Sequence, residues 1–462
     1  MSRKNKTLII ALAFLVLLVG GYYGSTVWKK KKAESATSPY TPPVKLGNLE
    51  SSDLVGIESG GLVLEKKDGA WVLTLLNGNA PPAGIVLDQN QINSITYYIA
   101  GLWIERVIDE EPADLSVYGL GDPVARAVVT DSGGKKAVYL LGDATPSQTS
   151  YYVMEEGDKK VCSVSSYYAE YLQLQLDKIR VKLLFPEFEF PEIVRFKLEG
   201  GDTKLEISKK PDAVQPYLAT SFSTHLITTP YLIARGADGE SLNNLVNPFR
   251  NLAIADFIDD NPSSLAPYGL DKPVRIYLET TDSSIDLLVG NRIDDKYYAK
   301  LAGAPGVFTL VFLDAVLNVK PFSLLEKFAL LINIDMVDQL TVTGGVRDLR
   351  ADFKGKGDDA VFYLNGKKAD TKTFKTWYQA VIGLIFDAEL PRDAAPPQRG
   401  GPGEIFVEYQ LNTAPGARAS LSLIPYNRDF YVLLQEGYME FLISRKEVNR
   451  IWETADTMKF EE

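Results

Sequence analysis

Hydrophobic residues fall along this chain in three kinds of pattern. The first is a solid run. Residues 7–27 carry no charge and are mostly Leu, Ile, Val, Ala and Gly. At about 1.5 Å per residue the run spans roughly 30 Å, a bilayer's hydrocarbon thickness, and so predicts a transmembrane helix. The second pattern is short alternation bounded by Gly, Pro and Asp, which predicts strands. The third is apolar spacing of three and four, which predicts amphipathic helices.

These patterns come in a fixed order. From 49 to 187, strands are predicted over 55–58, 62–66, 69–73, 125–130, 137–141, 151–155 and 160–164. Asp88 reads as a helix N-cap before Ile92, Ile95, Ile99 and Leu102, and a closing helix is expected over 166–179. From 188 to 333 the strands are 193–198, 204–208, 275–280, 284–289, 297–301 and 307–311. Here the helices are 241–252 and a closing one from Ala315. From 334 to 462 the strands are 337–342, 405–411, 419–424, 430–434 and 439–443, with helices over 373–384 and 444–454. The expected fold class is therefore α+β: an N-terminal transmembrane helix, then three tandem repeats of antiparallel strands with two helices each.

The repeat is also written in the residues. Tyr118-Gly119-Leu120-Gly121-Asp122-Pro123-Val124 returns as Tyr268-Gly269-Leu270-Asp271-Lys272-Pro273-Val274, 150 residues later. Leu140-Leu141-Gly142-Asp143 corresponds to Leu288-Val289-Gly290-Asn291, and Tyr151-Tyr152 to Tyr297-Tyr298. Leu102 and Leu252 each lie 17 residues before the turn glycine. Self-similarity of this kind marks one structural unit used more than once. Tyr118, Gly119, Leu120, Pro123, Gly142 and Tyr152, with Tyr268, Gly269, Leu270, Pro273, Gly290 and Tyr298, are its structural motif. The third copy lacks the Tyr-Gly-Leu turn; a Pro/Gly-rich stretch, 394–403, stands in its place.

Charge sharpens the picture at the amino terminus. Arg3, Lys4 and Lys6 precede the apolar run, and Tyr22, Tyr23, Trp28 and Lys29 to Lys32 follow it. That makes 1–6 a short cytoplasmic tail and 28–48 a basic stop with a Ser/Thr/Pro spacer. The run exceeds the apolar core of a cleavable signal, so an uncleaved anchor is expected. The basic flanks nearly balance. A short tail before a long domain favours export of residues 33–462 from the cytoplasmic membrane. Those residues hold 42 Lys+Arg against 60 Asp+Glu, a net charge of −18, which argues against nucleic acid. Cys162 is alone, so no intrachain disulfide forms.

Candidate chemistry is sparse. His225 is the sole histidine, and a triad would have to use it. No Gly-x-Ser-x-Gly elbow accompanies it, so it is read as an ordinary loop or surface residue. One His and one Cys do not make a zinc site. Asp109-Glu110-Glu111, Asp256 with Asp259-Asp260, Asp294-Asp295 and Asp358-Asp359 lack calcium-loop spacing and read as solvated turns. Gly142 to Ser147 lacks the Gly-Lys-Ser/Thr ending of a phosphate loop. The 24 tyrosines could stack on sugars, but most sit in strand patterns, where the core is the expected place. Neither a cofactor nor a metal is expected, and the protein is read as no enzyme.

The Tyr-Gly-Leu-x-x-Pro turn, the strand ending Leu-Gly-Asp, the Tyr-Tyr pair and the upstream Leu resemble the family named domain of unknown function 4340 (DUF4340). The resemblance is clearest over 100–185 and 250–330. It implies a bacterial envelope protein with one amino-terminal membrane helix, considered alongside ABC-type transport systems, including those of the gliding-motility type. It carries over no catalytic residue. The expected function is a non-enzymatic interaction or accessory module, with an ABC-type permease or accessory subunit as partner. The alternative is an extracytoplasmic binding protein for cell-wall glycan or a small ligand.

Overall fold

The computed structural model describes residues 44–461, apart from 202, 215 and 220. The expected membrane run, 7–27, lies outside the described residues. Among the described residues no helix is long and apolar enough to cross a membrane. The chain forms two compact units. One comprises the described residues up to Pro81 with Val86–Arg180; the other comprises Pro82–Ile85 with the described residues from Val181 onward.

The first unit opens with β1 (Lys45–Leu46) and the meander β2 (Leu54–Ser59), β3 (Leu62–Lys67) and β4 (Ala70–Leu76). Helix α1 (Gln89–Ile99) follows, then β5 (Leu102–Trp103) and β6 (Arg106–Asp109). A second meander, β7 (Ala125–Asp131), β8 (Lys136–Ala144), β9 (Ser150–Glu155) and β10 (Val161–Ser165), leads into α2 (Ser166–Leu172). The sheet order is β4-β3-β2-β7-β8-β9-β10-β6. The two meanders thus meet along β2 and β7, and β6 covers the far edge. The Asp88 carboxylate caps α1 by accepting from the Asn90 and Gln91 amides, a contribution of about 1 kcal/mol. Ile92, Ile95 and Ile99 then fall on the buried face at helical spacing. Lys45 and Leu46, assigned to the spacer by sequence, pair with Trp103 and Leu102.

The second unit begins with β11 (Leu183–Phe185), β12 (Ile193–Gly200), β13 (Thr203–Lys209), α3 (Pro216–Ala219), β14 (His225–Thr229), β15 (Arg235–Gly236) and α4 (Gly239–Val246). It continues with β16 (Leu252–Ala253), β17 (Phe257–Asp259), β18 (Val274–Thr280), β19 (Ser284–Ile293), β20 (Lys296–Leu301), β21 (Val307–Val311) and α5 (Asp314–Leu317). A third sheet comes from β22 (Val337–Gly344), β23 (Leu349–Lys354), β24 (Val361–Leu364), β25 (Lys367–Lys368), then α6 (Thr371–Ile382) and β26 (Ala388–Glu389). It ends with β27 (Ile405–Leu411), β28 (Arg418–Pro425), β29 (Phe430–Gln435), β30 (Tyr438–Ser444) and α7 (Arg445–Asp456). The two sheet orders are β15-β14-β13-β12-β18-β19-β20-β21-β17 and β25-β24-β23-β22-β27-β28-β29-β30-β26. Each reproduces the back-to-back meanders of the first sheet. Asp238 and Asp370 cap α4 and α6 as Asp88 caps α1. One continuous apolar core runs from Phe185 to Met458 through both sheets, which is why they form a single unit.

The structure corrects several expectations. The closing helix expected over 166–179 stops at Leu172, whose carbonyl accepts from the hydroxyl of Ser59, the last residue of β2. The helix expected from Ala315 is only the single turn α5, because Pro321 lies close behind and the residue before a proline avoids helical backbone. "Two helices each" therefore does not hold for 188–333 in full. The helix expected over 241–252 ends at Val246 and gives way to a 3₁₀ turn containing Pro248, which frees Leu252 to pair with Phe185. Strands β14, β23 and β24 were not expected. His225, expected in a loop or on the surface, begins β14 and is only 2% exposed.

Candidate functional site

The motif residues form two matching clasps. Leu115–Tyr118 and Ala266–Tyr268 are 3₁₀ turns, ended by Gly119 at φ 67° and Gly269 at φ 69°. That left-handed backbone favours glycine. The Tyr118 hydroxyl donates to Asp109 at 2.9 Å, and the Tyr268 hydroxyl to Asp259 at 3.0 Å. Each bond holds its tyrosine proton and raises the phenol above its ordinary range. Tyr152 stands edge-on to Tyr118 at 5.1 Å, and Tyr298 to Tyr268 at 5.2 Å. Gly142 and Gly290 pass so close to the Tyr118 and Tyr268 carbonyls that a Cβ would collide with them. Leu120 and Leu270 are buried, while Pro123 and Pro273 are half-buried just before β7 and β18. Within each clasp the tyrosine hydroxyl is bonded to an aspartate of the same fold unit and the glycine amide to the turn carbonyls.

The reactive candidates are likewise absorbed. The His225 Nε2–H donates to the Ile193 carbonyl at 2.9 Å, which leaves Nδ1 to accept from the Thr224 hydroxyl at 3.0 Å. Burial lowers the imidazole below its ordinary value. Cys162 is buried in β10, and burial pushes its thiol up to about 11, the opposite of an activated thiolate. Among the acidic clusters, Glu110 and Glu111 pair with Lys160 and Lys159 at 3.3 Å, and Asp256 with Lys296 at 2.7 Å. Among the described residues no group of three or more His, Cys, Asp or Glu could hold a metal. Residues 142–147 belong to the β8–β9 hairpin, closed by Thr145 and Ser150.

Two constellations escaped sequence reasoning. The first lies between the second and third sheets. Arg235 of β15 is buried, donates to Glu440 at 3.2 Å and to Gln435, and lies 4.9 Å over the Phe441 ring. Glu440 also accepts from the Leu232 amide at 2.6 Å, and Tyr231 donates to Glu389 at 2.9 Å. The Ser221 and Ser223 hydroxyls both donate to Glu326. Arg235, Ser221, Glu326, Gln435 and Phe328 line a cleft of about 30 Å³. That is room for a water or two, not a metabolite. Phe328 of its lining is exposed, as are Phe222, next to the lining Ser221, at 73%, and Leu232, whose amide donates to Glu440, at 67%.

The second constellation is in the first unit. Tyr98 of α1 and Tyr171 of α2 stack at 5.0 Å with rings 2° from parallel. Tyr97 stands edge-on to Tyr98 at 5.3 Å, and Tyr167 edge-on to Tyr171 at 5.3 Å; Tyr168 packs 5.4 Å from Tyr98. The outer rings stay open, Tyr97 at 62% and Tyr167 at 56% exposure. The doubled Tyr97-Tyr98 and Tyr167-Tyr168 were the one sequence signal for this cluster.

The three sheets are antiparallel meanders set back to back, and tyrosine clasps fasten the first two of them. The chain belongs to the family described as domain of unknown function (DUF4340), whose model matches residues 78–273 and again 226–398. The two matches make it a member with repeated units. No curated protein and no solved structure matches it.

Proposed function

We propose that this is a non-enzymatic, membrane-anchored protein of the bacterial cell envelope. Its described part is built of three tandem copies of one unit and lies outside the cytoplasmic membrane. It serves as an interaction or accessory module of an ABC-type, gliding-motility-like transport system. The observation that carries this reading is a set of exposed apolar side chains: Phe328, which lines the Arg235 cleft, Phe222, next in sequence to the lining Ser221, and Leu232, whose amide donates to Glu440. Exposed apolar groups beside a rigid, desolvated base suit a protein partner. The cleft itself is too small for a substrate, and His225 and Cys162 are held in structural bonds and burial.

Mild crosslinking of the full chain in membranes, followed by purification, is expected to recover an ABC-type permease or its accessory subunit. Recovery of glycan without protein would overturn the reading. A second reading, binding of cell-wall glycan, is favoured by the open tyrosine cluster of the first unit.

A further inference from the structure

We propose that the tyrosine cluster on α1 and α2 is a stacking platform for an uncharged glycan chain. The inference rests on the glycan reading and is independent of the protein-docking side chains.

The geometry starts from helical spacing. Asn90, Asn93 and Ser94 precede Tyr97 by seven, four and three residues, so they share its face of α1. From Asn90 to Tyr97 the stripe runs about 10 Å, the length of a short oligosaccharide. All four residues are exposed. The Asn93 side-chain oxygen accepts from the Trp71 indole at 3.2 Å, which leaves its NH₂ as the donor for another partner. The Asn90 side chain makes no hydrogen bond among the described residues. The Ser94 hydroxyl donates to the Asn90 carbonyl at 3.0 Å and keeps lone pairs to accept with. The stripe thus pairs an aromatic ring with amide and hydroxyl groups.

The rings are pre-organised. The stacked Tyr98–Tyr171 pair fastens one helix to the other, and Tyr97 and Tyr167 stand nearly perpendicular to it, at 80° and 81°. A rigid ring with only two side-chain torsions loses little entropy on binding. Its apolar face suits the C–H face of a pyranose, while the hydroxyl at its tip can bond a sugar oxygen.

Charge selects the occupant. Charged residues make up 24% of the chain, yet α1 contains no Asp, Glu, Lys, Arg or His, and α2 contains only Glu170. Phosphate, nucleic acid or an acidic glycan would find no cation on these helices. An apolar protein surface would leave the amides unpaired, which costs binding energy. A neutral hexose or N-acetylhexosamine chain meets both the rings and the amides.

The test is binding of the full chain, in detergent, to chitotetraose and cellotetraose by calorimetry, with polygalacturonate as the charged probe. Wild type should bind a neutral probe and not the charged one. Tyr97→Ala and Tyr167→Ala should each weaken binding about tenfold or more, whereas Tyr97→Phe should retain most of it. Both rings are more than half exposed but pack edge-on against a neighbour, so the alanine variants should unfold slightly below wild type and stay folded at the temperature of the titration. If wild type binds glycan but the Ala variants bind equally well, the platform is wrong and the glycan reading survives. If wild type binds neither neutral probe, both fall. If the Ala variants instead lose a crosslinked protein, the occupant is a protein and the proposal is overturned.

Discussion

Arg235 and Glu440 meet at 3.2 Å with both side chains almost wholly out of water. They lie 205 residues apart and join the edge strand β15 of the second sheet to β30, next to the edge strand β26 of the third. Burial lowers the guanidinium's pKa, and Glu440 opposes that shift. Removing one member would strand the other charge in a low-dielectric site. Arg235→Met should therefore destabilise the second unit by about 3–5 kcal/mol. Arg235→Met with Glu440→Leu should cost much less than the sum of the single changes. Denaturant unfolding of the four forms tests this, and additive losses would show that the pair is not coupled.

The clasps predict a graded glycine series. An alanine at Gly119 or Gly269 must take up left-handed backbone, at roughly 1–2 kcal/mol. Its Cβ would also run into Asp143 or Asn291. Gly134, at φ 81° with open space around it, supplies the control that carries the backbone cost alone. Gly119→Ala and Gly269→Ala should lower the unfolding midpoints of their units more than Gly134→Ala does. Equal losses at all three positions would mean that the close approach to β8 and β19 contributes nothing.

Much of the fold was legible because its strands alternate cleanly. Ile405–Leu411 falls where the pattern put it, since buried and open side chains alternate on a half-buried sheet, and Val307–Val311 was legible as a short apolar run, four of its five residues being buried. The turn at Tyr118 and Tyr268 was legible because glycine and proline punctuate the chain. Strand β14 was not, because His225-Leu226-Ile227-Thr228-Thr229 follows a run of Ser and Thr and does not alternate. The β23–β24 hairpin was hidden by its charges: Arg350, Asp352 and Lys354 are spaced like a strand but lie in a stretch that reads as a polar loop. Arg235 could not be found by pattern, because its partners come from β29 and β30. The tyrosine platform needs α1 and α2 side by side, a tertiary fact behind two doubled tyrosines.

His225 gives the second unit a dependence on pH. Burial lowers its pKa in the folded chain, with Lys209 acting in the same direction. The unfolded chain keeps the ordinary imidazole value of about 6.5. Above that pH both states are neutral at this site and its contribution is complete. As pH falls below about 6.5 the unfolded state takes up a proton first. Stability is then lost until the pH passes the lowered folded value. The urea midpoint of the second unit should fall between pH 7.5 and pH 5, and His225→Gln should flatten that fall. An unchanged slope in the variant would place the pH dependence elsewhere.

The exposed apolar set makes the functional proposal specific. Phe222 follows Ser221, which lines the Arg235 cleft, and Leu232 is held in place by its amide bond to Glu440. Because both side chains are open, replacing them with aspartate removes no core contact. Phe222→Asp with Leu232→Asp should leave the unfolding midpoint within about 0.5 kcal/mol of wild type. It should nevertheless cut recovery of the crosslinked transport partner about tenfold, since a charge at the centre of an apolar contact must be desolvated without a mate. Deleting residues 1–32 tests the other half of the proposal. The remaining chain should fold but capture the partner poorly, because a membrane anchor raises the local concentration of docking surface and partner. Undiminished capture by the aspartate pair would move the docking surface away from Phe222 and Leu232. Undiminished capture by the truncated chain would show that the docking surface alone supplies the affinity and that the anchor is dispensable.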